Sequence, residues 1–245
     1  MGRRCVVLLV ACAAFVPTAY AVAGDTRGVV ELFTSQGCSS CPPADELIGR
    51  LADDPGLVAL SLPIDYWDYL GWKDTLAKPN HTARQRGYAQ TRGDRAVYTP
   101  QAVINGAAHA QGSDAAAIER AIAQTRKQPG VLAVPVTLSV QGGHINVALQ
   151  SSAEAHAGSD VWLCAVSKNV PVTITRGENR GHTVTYHNVV RRWLRLADWN
   201  GTARNWSLPV SDVDADHASS VAVLVQTREG NKPGRMLGAS IAALH

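Results

Sequence analysis

Cys38 and Cys41 are the residues of this chain whose type and spacing carry the clearest chemistry. They stand in Glu31-Leu32-Phe33-Thr34-Ser35-Gln36-Gly37-Cys38-Ser39-Ser40-Cys41-Pro42-Pro43-Ala44-Asp45: an apolar strand-like run, a glycine, the pair, then prolines and a helix-like segment. Two cysteines three apart at a helix start bring their sulfurs close enough to close a small disulfide ring. The first of them is expected to meet unpaired backbone N–H groups and the positive end of the helix dipole. Both favour the thiolate, which is the nucleophile of disulfide exchange. Pro42 fits, because an N–H in the first helical turn has no partner to lose.

A bare Cys-x-x-Cys has other readings. No second such pair exists and no His-x3–5-His lies nearby to complete a tetrahedral site, which argues against structural zinc. A permanent disulfide in a non-enzymatic binding module stays open. So does Cu(I) capture by two soft thiolates with His109. His182 and His187 fall on a strand-like run at a spacing that points them to opposite faces, a poor metal pair. No cofactor is expected.

The other cysteines divide by position. Of five, Cys5 and Cys12 belong to residues 1–23, which read as a secretory signal: Arg3-Arg4, an apolar run from Cys5 to Val16, and small-x-small cleavage sites at Ala19–Ala21 and Ala21–Ala23. Leu9-Val10-Ala11-Cys12 offers a lipobox as a second reading. Cys164, in Val161-Trp162-Leu163-Cys164-Ala165-Val166, reads as a buried thiol acting as a small hydrophobe. The pattern predicts a periplasmic or secreted protein with no membrane span, since no other stretch approaches about 18 apolar residues.

Composition supports a folded, exported chain and excludes one class of partner. The 245 residues are 46% hydrophobic and 18% charged, with a formal net charge of +3. Removing Arg3 and Arg4 leaves 21 basic against 20 acidic residues. A nearly neutral mature chain gives no electrostatic case for nucleic acid. Nothing in the sequence fixes an oligomeric state.

The elements that must position the pair follow from periodicity. Val29–Thr34 and Leu57–Ile64 read as strands, Pro42–Asp53 and Lys73–Thr91 as helices, the latter interrupted at Pro79. Gln101–Ile104 and Ala107–Ala110 form a hairpin at Asn105-Gly106, and Ser113 caps a third helix. From Val134 the pattern has period two, with further strands at Val161–Ser167, Val172–Thr175, Thr183–Leu196 and Val221–Thr227. The reading is a βαβαββα domain over residues 24–129, then an all-β, sandwich-like domain over 130–245, divided near Gln128-Pro129-Gly130.

Tyr98-Thr99-Pro100 precedes the third strand, and here the chain resembles the thioredoxin superfamily, whose members carry a cis-proline facing the cysteine pair. The resemblance implies a cis Thr99–Pro100 bond, with Thr99 and Pro100 presenting backbone to an extended substrate. It also implies an acid on the strand before the pair. Glu31 is the candidate, although it lies seven residues ahead of Cys38 where thioredoxins use six, and one residue reverses the facing of a strand.

Glu31–Asp45, Tyr98–Asp114 and Gly177-Glu178-Asn179-Arg180-Gly181-His182-Thr183 with Asn188-Val189-Val190-Arg191 resemble the DUF1223 family of secreted proteins of unknown function. That resemblance implies a thioredoxin-like domain followed by a β-rich one and supplies no reaction. The function expected from the residues is thiol–disulfide exchange with protein thiols or disulfides. The aromatic loop Asp65–Lys73 reads either as a groove wall for a partner peptide or as a plug between domains. Asn179-Arg180-Gly181 is expected to pin a turn.

Overall fold

A computed structural model describes residues 26–153, 158–213 and 217–244; residues 1–23, expected to be a secretory signal and holding Cys5 and Cys12, lie outside the described residues. The strands are β1 (Gly28–Thr34), β2 (Leu57–Pro63), β3 (Gln101–Ile104), β4 (Ala108–Gln111), β5 (Val136–Gln141), β6 (His144–Leu149), β7 (Ser159–Thr173), β8 (Thr183–Trp199), β9 (Arg204–Pro209), β10 (Ser220–Glu229) and β11 (Lys232–Ala243). The helices are α1 (Pro42–Ala52), α2 (Pro79–Arg92) and α3 (Ala115–Thr125). The first seven elements run β-α-β-α-β-β-α, as the periodicity predicts.

The fold is mixed α/β, with an eight-stranded sheet ordered β11-β10-β7-β8-β2-β1-β3-β4 and a three-stranded antiparallel sheet ordered β5-β6-β9. The division expected near residue 130 is not a break in the large sheet. β8 pairs in parallel with β2 through Ser61 and Val189, and Asn188, in the left-handed region (φ 47°), donates its side-chain amide to the Ala59 carbonyl at 3.0 Å. An uncovered β2 edge would expose a row of unpaired backbone groups, and β8 covers it around Ala59 and Ser61.

Strand alternation sorts side chains into layers. Val30 and Leu32 of β1 face α1 and α3, packing with Leu47, Ile48, Ile118 and Ile122. Val29 and Phe33 face the other way, with Tyr88 of α2 and with Cys164, Val166, Leu224 and Met236 of the later strands. Val161, Leu163 and Ala165 of β7 turn to the opposite side, where the three-stranded sheet covers them. β1 is buried along its whole length because both faces are packed.

Several local expectations are revised. α2 begins at Pro79, which suits a first-turn position, and Asp74 instead folds the preceding segment by accepting the Leu76 and Ala77 N–H groups at 2.8 and 3.0 Å. Asp114, not Ser113, caps α3, accepting the Ala117 N–H at 2.8 Å. Asn105 and Gly106 both have positive φ, as a two-residue hairpin turn requires. The separate runs expected at 161–167 and 172–175 are one strand, β7.

Candidate functional site

Cys38 and Cys41 form a disulfide, with Cα atoms 5.4 Å apart. A turn made by the Cys38 N–H to the Ser35 carbonyl (3.1 Å) leads β1 into the pair, and the Cys41 N–H bonds to the Cys38 carbonyl (3.2 Å). Cys41 then caps α1. Cys38 is 6% exposed and Cys41 0%, so of the two only Cys38 retains any contact with solvent. Ser39 and Ser40 beside it are exposed, and the Ser40 hydroxyl lies 3.5 Å from the Cys38 sulfur.

The expected ring of free helical N–H groups is not found. Pro42 and Pro43 hold the first two helical positions and have no N–H to offer. The next two, Ala44 and Asp45, both donate to the Cys41 carbonyl, at 2.8 and 3.1 Å. What remains to favour a Cys38 thiolate is the helix dipole and the Ser40 hydroxyl.

The loop is held from three sides. Asn179, on the turn between β7 and β8, donates its amide to the carbonyls of Gln36 and Cys38, both at 2.9 Å. The Trp72 indole N–H donates to Gln36 Oε1 at 2.7 Å, and Asp74 Oδ2 accepts the Gln36 N–H at 2.7 Å. Trp67 lies against Gly37, where an added Cβ would sit 3.3 Å from it, and donates its indole N–H to Thr99 Oγ1 at 2.7 Å. The aromatic loop thus links the cysteine turn to the Thr99–Pro100 segment, whose peptide bond is cis. Pro100 is buried, and Gly112 fits between Pro100 and Ala44 of α1's first turn. Thr99 and Pro100 therefore border the start of α1.

Glu31 lies elsewhere. Val30 and Leu32 face α1, so Glu31 faces α2, fully buried, where Arg84 Nε donates to it at 2.6 Å and the Tyr88 hydroxyl makes a short hydrogen bond to it. None of its hydrogen bonds involves the cysteines. The extra residue between the strand and Cys38 is the physical reason: it turns the seventh position back to the opposite face.

The acid on the cysteine side is Asp45, which sequence reasoning did not assign a role. It lies one helical turn after Cys41 and is 1% exposed. Thr34 Oγ1 donates to its Oδ1 at 2.7 Å, and Oδ2 has no partner among the described residues. Burial holds its carboxyl well above the ordinary carboxylate range. Asp74, also buried, is pushed up to about 6 by loss of solvent, against the pull of three backbone N–H donors. The signal for Asp45 was its i+4 spacing from Cys41, which puts both on one helix face.

The remaining candidates are placed as follows. Cys164 is fully buried among apolar neighbours, and burial pushes its thiol up. The ring nitrogens of His109 face the Tyr98 hydroxyl (2.8 Å) and Asp94 (3.3 Å), which leaves none for a metal held by the cysteines. Among the described residues no cluster of three or more metal-ligating side chains occurs. His182 and His187, expected on opposite faces, both border a groove of about 450 Å³ beside Ser39 and Pro42, because His182 precedes β8. No helix of the described residues is long and apolar enough to cross a membrane.

The chain is similar over 91% of its length to the crystal structure of a protein from Agrobacterium tumefaciens, at 34% identity and a TM-score of 0.80, with 96% of that chain covered. No curated protein matches. The model of a family described as proteins of unknown function, DUF1223, matches residues 29–226. The chain belongs to the DUF1223 family.

Proposed function

We propose that the chain is an exported thiol–disulfide exchange protein built on a thioredoxin-like first half. The observation that carries this reading is the Cys38–Cys41 disulfide at the start of α1, beside the exposed Ser39 and Ser40, with Cys38 the less buried of the two cysteines. The β-α-β-α-β-β-α order and the position of Pro100 beside the first turn of α1 support the thioredoxin-like part. Residues 1–23 support export.

In the reducing direction, the Cys38 thiolate attacks one sulfur of a partner protein's disulfide. A Cys38–partner bond forms and the other partner sulfur leaves as a thiolate. The Cys41 thiolate then attacks the Cys38 sulfur, re-forming the internal disulfide and releasing the second partner thiolate. Two electrons pass to the partner, and the protons lost by Cys38 and Cys41 end on its thiols. Asp45 is the group this reading assigns to the Cys41 proton. The oxidising direction is the reverse.

A second reading has its own support. Cys38 is nearly buried, its carbonyl is held by Asn179, and the helix donors near it are used. Those features suit a permanent bridge in a binding module. The reduction potential decides between them. A value well above about −300 mV, with disulfide exchange lost in Cys38→Ser, fits redox work; a lower value fits a structural bridge.

A further inference from the structure

A second cavity lies far along the sheet from the cysteines, between α2 and strands β7, β8, β10 and β11, with a volume of about 500 Å³. That is within the roughly 300–1,000 Å³ range of small-ligand pockets. Trp162 and Trp193 both line it, half-buried and packed edge to face with centroids 6.0 Å apart.

Arg84 also lines it and is rigidly held. Its Nε donates to Glu31, its Nη2 donates to the Tyr88 hydroxyl (2.8 Å) and to Gln226 Oε1 (2.9 Å), and its guanidinium lies 4.5 Å from the centre of the Trp193 ring. Nη1 has no hydrogen bond among the described residues, although the side chain is 11% exposed. Glu31 is fully buried and does not line the cavity, whereas Arg84 does.

The charge around the opening that lacks an ion-pair partner among the described residues has one sign. Arg86 and Lys232 line it, and neither has a carboxylate partner among the described residues. Asp160 is the one acid among the described lining residues, and it is occupied by Arg228 (2.6 Å) and Arg195 (2.5 Å). An aromatic-walled cavity built for a cation would keep a free carboxylate. This one keeps free cations.

We propose that this cavity binds a small aromatic carboxylate, with its ring against Trp162 and Trp193 and its carboxylate on Arg84 Nη1, Arg86 and Lys232. A guanidinium held in one orientation, as Arg84 is, recognises a planar carboxylate more specifically than a lysine ammonium acting alone. The site is independent of the cysteine chemistry.

The test is titration of ¹⁵N-labelled protein with 1-naphthoate, followed by the indole N–H resonances of its six tryptophans. Saturable shifts are expected at Trp162 and Trp193. The neutral analogue 1-naphthalenemethanol should bind at least about tenfold more weakly, as should naphthoate to the Arg86→Gln, Lys232→Gln double variant. Both substitutions are at the rim, and an unchanged melting temperature confirms the fold. Absence of saturation by low-millimolar naphthoate overturns the proposal. So does equal affinity for the neutral compound, or undiminished binding by the double variant.

Discussion

Asn179 and Cys38 lie 141 residues apart, and the Asn179 side-chain amide donates to the Cys38 carbonyl at 2.9 Å. The same amide reaches the Gln36 carbonyl. A turn of the second half of the chain therefore fixes the conformation of the cysteine loop of the first. The sequence reading gave Asn179 a turn-pinning role; the segment it pins is the one that carries the sulfurs.

Asn179→Ala leaves two carbonyls of the cysteine loop without their donor. The expected cost is about 1–3 kcal/mol, the range for orphaned buried polar groups. A loosened loop should also admit a reductant faster. Urea unfolding and the rate of disulfide reduction by dithiothreitol check both effects. Native values for both would show that the β7–β8 turn does not restrain the loop.

Gly112 makes the contact between the Pro100 segment and α1. A Cβ there would meet Leu32 Cδ1 at 2.7 Å, Pro100 Cβ at 3.0 Å and Ala44 Cβ at 3.2 Å, so something must shift. Gly112→Ala is expected to destabilise the chain by about 1–3 kcal/mol, as overpacking does. Thermal unfolding of this variant beside the exposed control Ala115→Gly separates packing from backbone effects. Equal melting temperatures for Gly112→Ala and the parent would remove the contact from the account.

The parts legible in the sequence were those with local signals. Cys38, Cys41 and the prolines marked the start of α1, and Asn105-Gly106 marked its hairpin. β9 and β11 gave no such signal. β9 reads Arg204-Asn205-Trp206-Ser207-Leu208-Pro209, too short and polar to show a period. β11 carries Pro233, Gly234 and Gly238, which fit close approaches to neighbouring backbone but break the apolar pattern. The union of the two halves in one sheet rests on long-range pairing of β2 with β8, which no local window contains. Asp45 was hidden for another reason: an acid in a first turn is ordinarily a solvated partner of the helix dipole. Only the packing of Thr34 against it, and the cover over α1, make it a buried group.

Asp74 predicts a pH dependence with a definite sign. Its carboxyl is raised from 3.8 to about 6 in the folded chain. Between these values the unfolded chain has lost a proton that the folded chain retains. Stability is thus fully present below the unfolded value and falls as pH rises through the folded one, by at most about 3 kcal/mol at roughly 1.4 kcal/mol per unit. Asp74→Asn should remove that slope while weakening the Gln36 contact. Urea midpoints of parent and variant at several pH values across this window give the difference. Parallel curves would contradict the assignment.

Asp45 bears on the resolving step of the proposed exchange. Its unpartnered Oδ2 is buried one turn from Cys41, and burial favours the protonated form. An acid with a raised affinity for protons is matched to take one from a thiol, which a carboxylate of ordinary strength does poorly. Asp45→Asn keeps an oxygen to accept from Thr34 but cannot titrate. The lifetime of the mixed disulfide between Cys38 and a model substrate is therefore expected to lengthen by about tenfold or more, within the lower range of general-base effects. The pH–rate profile should lose the limb that belongs to this carboxyl, whereas a packing role would shift the rate at every pH alike. Stability should move oppositely: with no buried carboxyl left to ionise, the variant gains on the parent as pH rises above the ordinary carboxylate range. Quenched-flow trapping of the mixed disulfide across that range reads the first effect and unfolding midpoints the second. A resolving rate with the parent's pH profile would return Asp45 to a purely structural place under the helix.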